Sequence, residues 1–139
     1  MEDLSLHILD IVENSIRAGS SKVEINLDEK IEEGILLLNI KDNGSGMDAA
    51  TLKIVSNPFF STKEKKSFGL GISLLRQAAL DTEGSFKIDS KEKIGTELKA
   101  EFNKEHPDMK PLGDIKLTIK MLRLSHPEIE FFYVYIKSK

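Results

Sequence analysis

Cysteine is absent from all 139 residues, which excludes disulfides and thiolate metal sites. Long apolar runs are missing as well. The longest, around residues 131–136, falls far short of the ~20 residues that a membrane-spanning helix needs. There is no excess of basic charge. The net charge is −3 with both signs interspersed, so no electrostatic footprint for nucleic acid exists. The N-terminus is acidic and turns amphipathic at once, unlike a secretory signal. Repeats and low-complexity segments are also absent. These absences lead us to expect a cytoplasmic protein with neither a membrane nor a nucleic-acid partner. What is present is an ordinary balance of 40% hydrophobic and 31% charged residues, in a chain long enough for one core.

The organising stretch is residues 36–47, LLLNIKDNGSGM. Leu36, Leu38 and Ile40 share one face of a strand, and Asp42 comes next on that face. A carboxylate at the end of an apolar face is costly to bury unless donors satisfy it. Behind it, Gly44 and Gly46 allow positive φ and a close approach of the backbone to a ligand. The same letters fit a surface turn with a solvated aspartate. They also fit a pocket floor whose acceptor awaits an amino group. The rest of the chain decides between the two.

Residues 4–18 read as a helix, with Leu4, Ile8, Ile11, Val12 and Ile16 at helical spacing and Gly19 as its stop. His7, Asp10, Asn14 and Arg17, at steps of three or four, form a polar stripe beside the apolar one. Residues 22–28 alternate as a half-buried strand that makes a hairpin with the Leu36 strand. Asp48 caps a short helix running to about residue 55. Residues 56–68 are polar, carry several lysines and suit a mobile covering loop.

Gly69, Leu70 and Gly71 then open a helix whose N-terminal N–H groups favour an anion; Leu70, Leu74, Leu75 and Ala78 are its expected core face. Residues 85–90 and 96–102 form a second hairpin, with Thr96 on the inward parity of Leu98. Residues 103–113, with Pro107 and Pro111, read as a linker. Residues 114–124 read as a helix with Ile115, Ile119 and Leu122 on one face. Residues 129–136 read as a strand apolar on both faces, which must pair or be covered. Four half-buried strands and one-striped helices predict an α+β, two-layer sandwich: a mixed, mostly antiparallel sheet with the helices on one face.

The order Asp10-x-x-x-Asn14, then Asp42-Asn43-Gly44-Ser45-Gly46, a lid, Gly69-Leu70-Gly71 and Gly95-Thr96 resembles the ATP-binding domain shared by gyrase, Hsp90, histidine kinases and MutL. The resemblance covers residues 1–102. It implies the Bergerat-type ATP-binding fold there and leaves residues 103–139 as a helix–strand extension packed on the same domain. The run from Asn57 to Lys63, followed by Phe68-Gly69-Leu70-Gly71, is most similar to the sensor histidine kinases. Val12-Glu13-Asn14-Ser15 with Ala18-Gly19 is also similar to MutL.

The resemblance implies ATP and Mg²⁺ as cofactors. Asn14 would bind the metal, and Asp10 would be catalytic, at a place where many members hold a glutamate. Asp42 would accept from the adenine amino group, with Thr96 supporting it through water. Gly44, Gly46 and Met47 belong to the adenine-side motif. Arg17, Lys63, Phe68, Gly69, Leu70 and Gly71 belong to the phosphate side, and Ser67 stands where the lid usually has its first glycine. No upstream helix bears a phospho-acceptor histidine, so the reading is a stand-alone kinase or anti-sigma-like regulator acting on a protein partner. A switch that dimerises with a second copy, and an ATP-sensing module without chemistry, are the alternatives.

Overall fold

Val23, Ile25 and Leu27 recur at every second residue, and each is at most 1% exposed, so the strand that carries them has one dry face. That strand, β1 (Lys22–Lys30), pairs antiparallel with β2 (Ile35–Asp42), setting Leu27 opposite Leu38 and Ile25 opposite Ile40. The computed structural model describes residues 3–56 and 70–139. Within them, β3 (Ser85–Lys91) and β4 (Gly95–Asn103) form the second hairpin, with Phe86 opposite Ala100 and Ile88 opposite Leu98. A fifth strand, β5 (Glu130–Ser138), lies parallel to β1. The sheet order is β3-β4-β2-β1-β5, mixed and mostly antiparallel. The four half-buried strands expected are all in this sheet, and the C-terminal strand joins it at one edge as the fifth.

The helices described are α1 (Leu4–Arg17), α2 (Ala49–Ser56), α3 (Leu70–Asp81) and α4 (Ile115–Ser125). Leu4, Ile8, Ile11 and Val12 of α1 meet Ile72, Leu75, Ala78 and Ala79 of α3, and Ile115, Ile119 and Leu122 of α4. All join one buried cluster on the inward face of the sheet. Leu74, expected on the core face of α3, is only half-buried; Ile72 and Ala79 take that side instead.

Aspartates start three of these helices. Asp3 accepts from the Leu6 N–H at 3.0 Å, Asp48 from Thr51 at 2.7 Å and Asp114 from Leu117 at 3.0 Å. The Ser5 hydroxyl and the Leu6 N–H on Asp3 hold its carboxyl below the usual aspartate value, and the Thr51 N–H does the same for Asp48.

Three expectations change. Residues 103–113 are not a spacer: the carbonyls of Pro111 and Leu112 accept from the N–H groups of Leu4 and Ser5 at 2.8 and 3.0 Å. They satisfy donors that the start of a helix leaves orphaned, and Met109 and Leu112 pack on the core. His7 is not on an exposed polar stripe; at 2% exposure it is buried with Leu4 and Ile11, its neighbours one turn away on either side. The strand β5 takes the edge place beside β1, but among the described residues its outer apolar face is left uncovered. Phe131 is buried, while Phe132, Val134 and Ile136 stay exposed on the outer face.

Candidate functional site

The inward parity that builds the core runs out at one rung. Along β2 it passes Leu36, Leu38 and Ile40 and ends on Asp42; along β4 it passes Phe102, Ala100 and Leu98 and ends on Thr96, directly opposite. Here the space between sheet and helices opens as a cavity of about 340 Å³. Ile11, Ile40, Met47, Ile72 and Leu98 give it apolar walls, and Asn14, Ser15, Asp42 and Thr96 supply polar groups. A mostly apolar concavity with a few converging polar atoms is the usual form of a small-molecule site.

Asp42 is held firmly. Its Oδ2 accepts from the Ser15 hydroxyl at 2.6 Å. Its Oδ1 accepts from the backbone N–H groups of Gly44 at 2.9 Å and Thr96 at 3.3 Å. A carboxylate offers about four lone-pair sites, so Oδ2 keeps one for a ligand donor.

The turn after Asp42 is stitched to its surroundings. The Asn43 side-chain oxygen accepts from the N–H groups of Ser21 at 2.9 Å and Lys22 at 3.0 Å. Ser45 donates to the Ala18 carbonyl and accepts from the Lys93 N–H, at 2.9 and 2.6 Å. The two glycines serve different needs. Gly46 has φ +69°, and a Cβ there would lie 2.0 Å from the Lys91 carbonyl oxygen. Gly44 does not have the positive φ that the sequence suggested. It is small because a Cβ would meet Ser20 Oγ at 2.7 Å and the Ala18 carbonyl at 3.0 Å. The close approach is to the end of α1, not to a ligand.

On α1, Asn14 is half-buried and reaches the cavity, and its amide oxygen accepts from the Arg17 guanidinium. Asp10 is exposed and is not part of the cavity lining. Gly71 brings the first turn of α3 against α1: a Cβ there would lie 3.3 Å from Asp10 Cβ and 3.6 Å from Asn14 Nδ2. Asn14, Asp42, Gly46, Met47 and Thr96 thus share one cavity, with Gly44, Arg17 and Gly71 at its borders. Lys63, Phe68 and Gly69, like the expected lid at 57–68, lie outside the described residues, as does the side chain of Leu70. Among the described residues, no group of three or more His, Cys, Asp or Glu could hold a metal ion.

Sequence reasoning passed over two residues. Ser15 donates to Asp42, and Ser90, only 9% exposed, bonds Met47, Gly95 and Thr96. For Ser90 a signal existed: it continues the inward parity of Phe86 and Ile88 and faces Thr96 across the ladder.

The family described as histidine kinase-, DNA gyrase B- and HSP90-like ATPases matches residues 2–106. The chain belongs to this family. A sensor protein of Shewanella frigidimarina is 33% identical over 97 residues, 68% of this chain and 15% of that protein. Sporulation kinase C of Bacillus subtilis is 30% identical over 82 residues, 59% of this chain and 19% of the kinase. This chain therefore spans less than a fifth of the length of either relative. The MutL ATPase domain of Aquifex aeolicus, solved with ADP, superposes with a TM-score of 0.58 at 16% identity, covering 97% of this chain and 60% of that one. The superfamily and the α+β sandwich expected from the sequence are both borne out. Among the described residues, no helix is long and apolar enough to cross a membrane.

Proposed function

We propose that this chain binds Mg-ATP in the cavity at the Asp42–Thr96 rung and acts, in the cytoplasm, as a histidine-kinase-like regulator of a protein partner. The observation that carries the reading is the state of Asp42: fixed by three donors, with an acceptor site left over inside an apolar cavity. An adenine amino group supplies the missing donor. Guanine would set a carbonyl against the carboxylate, two acceptors facing each other.

In this reading Ile11, Met47 and Leu98 contact the faces of the base, and Thr96 joins through a water. The Asn14 amide oxygen suits Mg²⁺, a hard cation that takes oxygen ligands and keeps several waters. The metal, when bound, neutralises phosphate charge. For that, Arg17 releases the Asn14 oxygen and turns its guanidinium to the phosphates, for which its fork is well matched. Lys63, Phe68, Gly69, Leu70 and Gly71 take the phosphate side on family resemblance. Asp10, beside Gly71 at the mouth, is the candidate to orient or deprotonate the attacking group.

Calorimetry with Mg-ATP and Mg-GTP tests the binding. An unpaired buried polar group costs roughly 1–3 kcal/mol, so ATP is preferred by at least about tenfold. Equal affinities would remove the adenine assignment. Incubation with labelled ATP and the proteins that co-purify tests the chemistry: Asp10→Ala keeps binding and lowers turnover or transfer by about 10²–10⁴. A sensing module without chemistry is the second reading, favoured by the position of Asp10 outside the cavity lining. Absence of turnover and transfer in the parent would select it.

A further inference from the structure

Proton accounting around Ser90 leads to a residue that sets the base preference without touching the base. A hydroxyl has one proton to give and two lone pairs to receive with. Ser90 Oγ lies 3.0 Å from the Gly95 carbonyl oxygen, which can only accept, so the Ser90 proton goes there. One lone pair receives the Met47 N–H at 2.9 Å. The remaining neighbour, Thr96 Oγ1, is 2.8 Å away. With the Ser90 proton already committed, Thr96 must be the donor in that contact. The Ser90 hydroxyl is then saturated, and Thr96 faces the cavity with lone pairs alone.

The floor beside it has the same polarity. Asp42 can only accept, and the Ser15 proton that might otherwise have faced a ligand is bound to Asp42 Oδ2. We infer that Ser90 is a specificity-determining positioning residue: by taking the Thr96 proton it makes the cavity floor acceptor-only, selecting bases that present an amino group and rejecting those that present a carbonyl. The inference rests on the adenine-binding reading above and adds the group that enforces it. Ser90 also joins the loop at Met47 to the β3–β4 hairpin, so a merely structural role is the rival explanation.

Inosine triphosphate separates the two, because it replaces the adenine amino group with a carbonyl. The quantity read is the ratio of ATP to inosine triphosphate affinity by calorimetry on one sample, in which any unfolded fraction cancels. In Ser90→Ala the Thr96 proton is released and can donate to the carbonyl, directly or through water. The ratio is expected to fall about tenfold. Ser90→Thr keeps the hydroxyl and should keep the ratio. Ser90→Ala with Thr96→Val leaves no hydroxyl to donate, and discrimination should return toward the parent's. If Ser90→Ala does not fold, Ser90→Cys, closer in size and a weak acceptor, is expected to lower the ratio in its place. An unchanged ratio, with both affinities falling together, would overturn the inference and leave Ser90 as a strut. A parent that binds no adenine nucleotide would overturn the cavity assignment itself, so the two failures are told apart.

Discussion

The two ends of the β2–β4 ladder share one strand pair and one inward parity, yet they behave as different materials. At one end Leu36 faces Phe102, and both are at most 1% exposed. At the other Asp42 faces Thr96, both half-buried and tied into hydrogen bonds with Ser15, Gly44 and Ser90. The backbone is the same; the side chains change from hydrocarbon to acceptor within a few residues. The candidate site is thus the core's own register continued past its last apolar rung. Its rigidity comes from the packed end and its selectivity from the polar end. Stability and binding should separate along one strand pair.

The largest effect is expected from truncation after Phe102. It removes Ile115, Ile119, Leu122 and Phe131, which belong to the same buried cluster as the apolar end. The shortened chain should be insoluble or unfold far more readily in denaturant. If it stays folded and binds ATP as the parent does, the apolar end does not depend on the C-terminal segment. Next is Phe102→Ala, where loss of a buried aromatic should cost about 3–5 kcal/mol in denaturant unfolding. Nucleotide affinity of the molecules that remain folded should be nearly unchanged. A loss of affinity as large as the loss of stability would mean that the two ends are not separable.

At the polar end the pattern reverses. Ser15→Ala removes one donor from Asp42, and a hydrogen bond of this kind is worth about 0.5–3 kcal/mol. ATP affinity should fall by roughly 2- to 100-fold, while the unfolding midpoint moves less than in Phe102→Ala. A smaller effect concerns acid. Asp3 caps α1 away from the cavity lining and Asp48, which lines the cavity, caps α2, and both carboxyls sit below the ordinary value of 3.8. A depressed folded-state pKa contributes stability that is complete above the unfolded value and lost as pH falls through the folded one. Helical signal followed by circular dichroism should therefore hold down to about 3.8 and weaken only below it. Asp48 is exposed and Asp3 only half-buried, so the change should be small, and Asp3→Asn with Asp48→Asn should flatten it.

What the sequence made legible was whatever follows from period and parity. Alternation placed Leu36, Leu38, Ile40 and Asp42 on one face and Leu98 with Thr96 on another, and the ladder sets those faces in register. The helical stripe of α4, Ile115, Ile119 and Leu122, was legible for the same reason, while the role of Asp114 as its cap shows only in the structure. What escaped depends on partners far apart in the chain. Ser15 looks like any helical serine until Asp42 lies 2.6 Å away. Ser90 matters only because Thr96 is opposite. Residues 103–113 read as a linker because two prolines suggest a spacer, yet their carbonyls were free to complete the start of α1. His7 followed the polar spacing of its neighbours but sits at the edge of the apolar stripe, where the core covers it.

Calorimetric titration of Mg-ATP into the parent and into Asp42→Asn tests the central claim most directly. The account predicts binding by the parent and a loss of roughly 10- to 100-fold in the variant, because an amide facing the adenine amino group leaves buried donors and acceptors unmatched. Equal affinity in the two proteins, with both folded, would contradict it: the polar rung would then be only the frayed end of a core.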